Sequence, residues 1–195
     1  HGENVRSVLY PLRSEVGAPF RSFYLIESAG IFQSDEEAQN YVGPDGTPIQ
    51  PNAHAGDLKF VDRNGDGSID FEDKRICGSA YPDFAYGANI ALAYKNFDCN
   101  IFFQGVQGVD IFAGYRFSAY QPPGQGYNLL KDAMDAWSPS NTGSTIPRAT
   151  LLDPNNNYDK ESDWYLDDGS YLRLKNFTLG YTLPASVSNA VRISR

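Results

Sequence analysis

Residues 84–94 alternate strictly. Phe84, Tyr86, Ala88, Ile90, Leu92 and Tyr94 fall on one side, and Ala85, Gly87, Asn89, Ala91 and Ala93 on the other. A period of two predicts a β-strand with one apolar face and one small or polar face. Residues 97–103 repeat the pattern, with Phe97, Cys99, Ile101 and Phe103 set against Asp98, Asn100, Phe102 and Gln104. Only Lys95 and Asn96 separate the two runs. A two-residue turn places its flanking residues opposite each other on one face; here those residues are Tyr94 and Phe97, so a hairpin in this register keeps both apolar sets together. A third strand is predicted over residues 171–183. Its apolar side is Phe177, Leu179, Tyr181 and Leu183, its polar side Asn176, Thr178, Gly180 and Thr182, and Pro184 ends it because proline cannot donate to a ladder. Helical signals are few. Residues 34–41 open with a serine cap and an acidic first turn, and residues 129–137 (LLKDAMDAW) predict a second helix.

The connections are unequal. The Lys95–Asn96 turn is short, and so is the link at residues 185–190 that leads to a strand-like start at 191–195. Residues 32–83 and 104–169 are long and rich in Gly, Pro, Asn and Asp. Short turns on one side and long loops on the other are the asymmetry of outer-membrane barrels, and a compact domain seldom tolerates structureless loops of that length. The strands are about 10 residues long, as a spanning strand needs. Aromatics stand at both ends of the apolar face, and the opposite face suits a wet lumen. The expected fold is all-β, part of a large antiparallel transmembrane β-barrel. A soluble sandwich alternates as well, so the pattern alone leaves that alternative open.

Composition narrows this further. Of 195 residues, 41% are hydrophobic and 21% charged, which argues against disorder. The net charge of −8 argues against nucleic acid, because phosphate binding needs clustered Lys and Arg. No apolar run reaches about 18 residues, so no transmembrane helix is expected, but barrel strands leave no such run. The 13 Tyr and 12 Phe suit a surface that meets both apolar and wet phases. Cys77 and Cys99 are the only pair that could form a disulfide, and no CxxC motif points to zinc or redox chemistry. Cys99 reads as a small apolar strand residue. The start at His1 carries no signal peptide, and the broken-off pattern at 191–195 predicts an internal segment of a longer chain.

The sharpest chemical motif is residues 62–73, DRNGDGSIDFED. Asp62, Asn64, Asp66, Ser68, Asp70 and Asp73 occupy positions 1, 3, 5, 7, 9 and 12 of a calcium loop, with Gly67 at the sharp turn. Calcium needs six to eight hard oxygen ligands, and this spacing directs alternate residues at one centre, Ser68 through its backbone carbonyl. Two departures from a helix–loop–helix site stand out: Asp73 replaces the usual Glu, and the flank at residues 57–61 is strand-like. Binding would be weak, on the order of 10⁻⁴–10⁻³ M, and structural. A metal-free Asn-Gly and Asp-Gly turn is the competing reading.

Three stretches resemble the SusC/RagA family of TonB-linked outer-membrane transporters, in the family's order. They are GDLKFVDRNGDGSIDFEDKRICG (56–78), YGANIALAYKNFDCNIFFQGVQGVDIF (86–112) and DGSYLRLKNFTLGYTLP (168–184), and FYLIESAGIFQ (23–33) is similar to the family's lead-in. The resemblance implies a late part of a barrel of about 22 strands. It implies import of glycans or peptides across the bacterial outer membrane, driven through TonB by way of a plug absent from this segment, together with a SusD-like surface lipoprotein. Residues 57–75 would form a calcium-type extracellular loop, 84–107 the hairpin, 108–168 a long extracellular loop and 171–183 a barrel strand. Ligand contacts in the second loop would come from Tyr115, Tyr120, Trp137, Trp164 and Tyr165, since aromatic faces stack on sugar rings and peptide side chains; packing the loop or meeting the lipoprotein is the plainer role.

No catalysis is expected. His1 and His54 sit in no metal or nucleophile motif, and GxSxG, HExxH and phosphate-loop patterns do not occur. Asp167–Asp168 could be imagined as a glycosidase acid pair, yet adjacent carboxylates before Gly169 read more simply as a turn. The alternative function is a secreted, calcium-stabilised β module that binds carbohydrate.

Overall fold

The computed structural model describes residues 11–120 and 128–184 and the backbone of Val5–Arg6. The expectations at His1, 185–190 and 191–195 lie outside the described residues. The strands are β1 Val5–Arg6, β2 Leu12–Ser14, β3 Ser22–Ile26, β4 Ser28–Ile31, β5 Leu58–Phe60, β6 Lys74–Ser79, β7 Phe84–Tyr94, β8 Phe97–Gln107, β9 Asp110–Phe112, β10 Leu166–Asp168 and β11 Tyr171–Tyr181. Among the described residues, two short α-helices are α1 Asp35–Gln39 and α2 Arg116–Ala119. The chain divides into one unit of residues 1–80 and 111–167, and another of 81–110 and 168–195.

The first unit joins residues 1–31 to most of the two stretches that read as long loops. Those stretches are not structureless. β1, β2, β3 and β6 form one antiparallel sheet and β4 pairs with β5. Phe32 and Gly56 exchange backbone bonds with Asp57 and Phe32, which closes the β4–β5 segment around a core of Ile26, Leu58 and Phe60, with Ile31, Ile69 and Trp164 against it. α1 forms where the serine cap predicts: the Ser34 hydroxyl accepts from the Glu37 N–H at 3.0 Å, leaving one orphan donor fewer. The helix expected over 129–137 is instead a 3₁₀ turn at Lys131–Asp135. Leu129 and Leu130 are exposed, so the segment buries too little apolar surface to propagate an α-helix beyond its costly nucleus.

The second unit is a three-stranded antiparallel sheet in the order β11-β8-β7. β7 and β8 pair across the Lys95–Asn96 turn, from Tyr94↔Phe97 to Phe84↔Gln107. Lys95 adopts φ +52, the left-handed region usually left to glycine or asparagine. β11 pairs with β8 from Tyr181↔Phe97 onward, but the register slips between Leu174 and Asn176. Lys175 is the extra residue of a β-bulge. The strand ends at Tyr181 rather than Leu183.

Candidate functional site: a two-faced sheet and a folded loop body

The bulge decides which side chains share a face of the three-stranded sheet. Continued alternation from Phe177 would bring Lys175 and Arg173 onto the apolar face. The extra residue resets the parity, so that Leu174 stands opposite Phe103 and Leu172 opposite Gly105. One face then reads, row by row, Tyr94–Phe97–Tyr181, Leu92–Cys99–Leu179, Ile90–Ile101–Phe177, Ala88–Phe103–Leu174 and Tyr86–Gly105–Leu172. The other reads Ala93–Asp98–Gly180, Ala91–Asn100–Thr178, Asn89–Phe102–Asn176, Gly87–Gln104–Arg173 and Ala85–Val106–Tyr171. Strict alternation hid this, because a bulge leaves no fixed residue signature.

Leu92, Ile90, Phe177, Leu179 and Leu174 are all exposed. An apolar face this continuous marks an interaction surface, and here it is bounded by rings at both ends. Phe97 and Tyr181 meet at 4.5 Å in the row beside the turn, and Phe84 and Tyr86 at 5.8 Å at the other end. From Phe84 to Tyr94 the strand has 11 residues. At about 3.4 Å per residue and a tilt of about 40°, the rings stand about 26 Å apart along a membrane normal, against a band of about 25 Å in outer-membrane barrels. Glycines fit the two faces to their neighbours. A Cβ at Gly105 would strike the Tyr86 ring and the Tyr171 carbonyl oxygen at 2.5 Å, so Tyr86 lies across a surface that only glycine leaves open. Cys99 is a free thiol within the apolar rows.

In the other unit, the calcium-type loop is a dense hydrogen-bonded turn. The Asp62 carboxylate accepts from the N–H groups of Gly65 (2.7 Å) and Gly67 (2.8 Å), glycines at φ +74 and +86. Asn64 accepts from the Asp66 N–H, Asp66 from Ser68 and Asp70 from Glu72. Asp73 is fully buried and accepts from the N–H groups of Arg63 and Asp70, both at 2.8 Å. A cation of the protein's own stands close: the Lys160 ammonium donates to the Ile69 carbonyl at 3.0 Å. Burial pushes its pKa down, while the charges of Asp73 and Asp70 oppose that shift. Among the described residues no three His, Cys, Asp or Glu side chains stand together as a metal cluster. The Asp62 and Asp70 oxygens nonetheless suit a hard cation, since each that accepts one N–H retains a second lone pair, whereas Asp73 Oδ1 accepts from both Arg63 and Asn64.

The five aromatic candidates part company. Trp137, Tyr120 and Tyr165 are buried, Trp137 donating its indole N–H to Gln33 and Tyr165 its hydroxyl to the Tyr158 carbonyl at 2.6 Å. All three pack the loop body. Tyr115 is exposed. Tyr120 and Trp164, rings 6.1 Å apart, line a cavity of about 710 Å³ with Arg116, Asp132, Asp135, Asn141, Ser144 and Thr145. The Arg116 guanidinium lies over the Trp164 ring at 5.1 Å, donates to the Trp164 carbonyl and pairs with Asp167. Asp167 is therefore an ion-pair partner. Asp168 accepts from the Ser170 N–H in a turn, so neither carboxylate is arranged as a glycosidase acid.

One arrangement had no sequence signal. Asp57 is fully buried and held by Arg148 at 2.7 and 3.1 Å and by the Asn157 amide at 2.9 Å. Asn157 also donates to Asp153, whose pKa burial pushes up. Asn155 and Gln50 both donate to the Leu58 carbonyl. This polar core joins residues about a hundred positions apart, and no spacing rule reaches that far.

The chain is 36% identical over 171 residues to TonB-dependent receptor P3 of Formosa agariphila, covering 87% of this chain and 16% of that protein. It belongs to the TonB-dependent receptors. TonB-dependent receptor P26 of the same organism is 32% identical over 174 residues, covering 87% of this chain and 16% of that protein. TonB-dependent receptor SusC of Bacteroides thetaiotaomicron is 31% identical over 123 residues, or 63% of this chain and 11% of that protein. The chain thus spans about a sixth of the length of the first two receptors. No protein-family model matches it. Among solved structures, that of the RagAB peptide transporter superposes with a TM-score of 0.67 at 19% identity, covering 97% of this chain and 19% of that one. At that identity the likeness shows the fold: the chain has the all-β architecture of part of a transporter barrel.

Proposed function

We propose that this chain forms part of an outer-membrane importer of the SusC type, driven by TonB, in which β7, β8 and β11 cross the membrane. The observation that carries the reading is the five-row apolar face, closed by rings at both ends and made continuous by the bulge at Lys175. Its height suits a bilayer, and its opposite face carries Asn89, Asn100, Asn176, Gln104 and Arg173, which suit water. In lipid the free edges of β7 and β11 would pair with further strands, since unpaired backbone is not tolerated there. Lys95–Asn96 would then face the periplasm, and the folded loop body would lie outside the cell. The relatives' names support a TonB-driven process, and by resemblance a SusD-like lipoprotein delivers glycan or peptide. A secreted module would have to hide the apolar face against another sheet. The test uses the whole receptor in its host. Recovery in the detergent-soluble outer membrane, and cargo uptake abolished by a protonophore, are expected; recovery in soluble medium, or uptake indifferent to energy, would overturn the proposal.

We also propose that the loop of Asp62, Asn64, Asp66, Ser68, Asp70 and Asp73 takes up calcium as a structural ion. Its support is the all-oxygen spacing around a turn that Gly65 and Gly67 make sharp. Titration calorimetry on the whole receptor is expected to give a dissociation constant on the order of 10⁻⁴–10⁻³ M. No heat at several times that concentration would leave the loop as a hydrogen-bonded turn alone.

A further inference from the structure

Residues 62–73 carry five acidic side chains, Asp62, Asp66, Asp70, Glu72 and Asp73, against one basic side chain, Arg63. Like charges this close repel one another. The bases nearest in sequence are turned to other partners: Arg63 pairs with Glu27 at 3.9 Å and Lys74 with Glu161 at 2.5 Å. Lys160 reaches the loop from 91 residues beyond Ile69 and donates to the Ile69 carbonyl at 3.0 Å. Ile69 stands between Ser68 and Asp70, two of the loop's oxygen donors. The charges of Asp73 and Asp70 favour this ammonium, so it sits in their field. Its place is fixed from behind. The Asp153 carboxylate accepts from the N–H groups of Asn157 and Tyr158 at 3.0 and 2.9 Å, and the Lys160 N–H donates to the Asn156 carbonyl at 3.1 Å. The side chain is half-buried, with its ammonium 5.7 Å from the centre of the Phe60 ring. A cation anchored in this way offsets the carboxylates of a metal-free loop and repels a divalent ion that enters it.

We propose that Lys160 is the resident counter-cation of this loop: its ammonium keeps the calcium-free loop in shape and holds the affinity for calcium down. The inference rests on the calcium reading of residues 62–73 and adds the residue that regulates that site. A purely structural role predicts the opposite sign. If Lys160 only tied Ile69 in place, removing it would loosen the loop and weaken calcium binding. If its charge competes with the metal, removing the charge tightens calcium binding and leaves the empty loop less ordered.

The experiment is calcium titration calorimetry on the detergent-solubilised whole receptor, as the parent and as K160M, K160Q and K160R. K160M keeps an apolar stem against Phe60, K160Q keeps an amide N–H for the Ile69 carbonyl, and K160R keeps the charge. The two neutral variants are expected to bind calcium about tenfold more tightly than the parent, and K160R to match the parent. In chelator, hydrogen exchange at residues 62–73 should quicken in K160M and K160Q, and calcium should slow it again. Where one neutral variant fails to fold, the other decides. Unchanged or weaker calcium binding in a folded neutral variant, K160R as tight as the neutral pair, or unchanged exchange in chelator would overturn the proposal. The outcomes keep the two readings apart. Calcium bound by the parent and no tighter by the neutral variants refutes the counter-cation alone. Calcium bound by the neutral variants and not by the parent refutes the native calcium site alone, and no binding by any of them refutes both.

Discussion

Leu174→Arg tests the sheet at its least obvious point. The bulge puts Leu174 and Leu172 in the apolar rows and Arg173 on the polar face. Unbroken alternation from Phe177 would instead turn position 174 to the polar face, where an arginine is harmless. With the bulge, the substitution sets an arginine opposite Phe103 on the apolar face. That row lies one step from the middle row Ile90–Ile101–Phe177, about 5 Å along the normal at the spacing and tilt used above. An arginine on a lipid face costs about 2–4 kcal/mol at the midplane and less toward the edges, so about 2–3 kcal/mol applies here. Losing the Leu174 side chain from the lipid face adds about 1.5 kcal/mol at the low end of side-chain burial. The total is about 4 kcal/mol, a large share of the whole stability of many domains. Deleting Lys175 removes only the extra residue: Leu174 then directly precedes Asn176, alternation keeps Leu174, Arg173 and Leu172 on their present faces, and the cost should stay under about 1 kcal/mol. The assay is urea-dependent folding of the whole receptor into lipid vesicles, read by its heat-modifiable migration. A Leu174→Arg variant that folds like the parent, or a deletion as damaging as that substitution, would refute the reasoning.

Other consequences are equally direct. Gly105→Val makes the lipid face more apolar yet should destabilise it by about 1–3 kcal/mol, because the new side chain meets the Tyr86 ring and the Tyr171 carbonyl; the same folding assay reads it, and a stabilised variant would count against the Tyr86 placement. Arg148→Ala leaves Asp57 buried without its guanidinium and should cost about 3–5 kcal/mol. Hydrogen exchange should then quicken at residues 55–60 and 148–158, and unchanged protection there would remove the polar core from its stabilising role. Lys95→Gly relieves a left-handed residue and should stabilise the hairpin by about 1 kcal/mol, measured as a shift in the urea midpoint; a loss of stability would show that the ring contact of Lys95 with Tyr94 matters more.

How much of this was legible in the sequence differs by element. The β7–β8 register could be read because Tyr94 and Phe97 flank a two-residue turn, so local geometry fixes every later pair. β11 could be read only from Asn176 to Tyr181. Beyond Lys175 its pattern of Leu and Arg obeys a register set by the partner strand, which a single-strand period does not contain. α1 was legible through its Ser34 cap, a contact between residues three apart. The loop body was not, because its cohesion comes from Asp57 with Arg148 and Gln50 with Asn155, pairs 91 and 105 residues apart. The same distance explains Trp137 and Tyr165: an aromatic in a loop-like stretch gives no sign of whether a remote strand will bury it. The 62–73 spacing was plain, yet the same Asp and Asn oxygens serve both a cation and the turn's own N–H groups, so spacing alone does not separate the two.

The central claim is that one face of β7, β8 and β11 meets lipid and that the parity of β11 reverses at Lys175. Single cysteines at residues 172–179 of the whole receptor, with Cys77 and Cys99 replaced by Ser and Ala, can be exposed in intact outer membranes to a water-soluble maleimide. Positions 172, 174, 177 and 179 are expected to stay unlabelled, and 173, 176 and 178 to label. Labelling that follows one unbroken odd–even pattern through 175, or that reaches every position, would contradict the account.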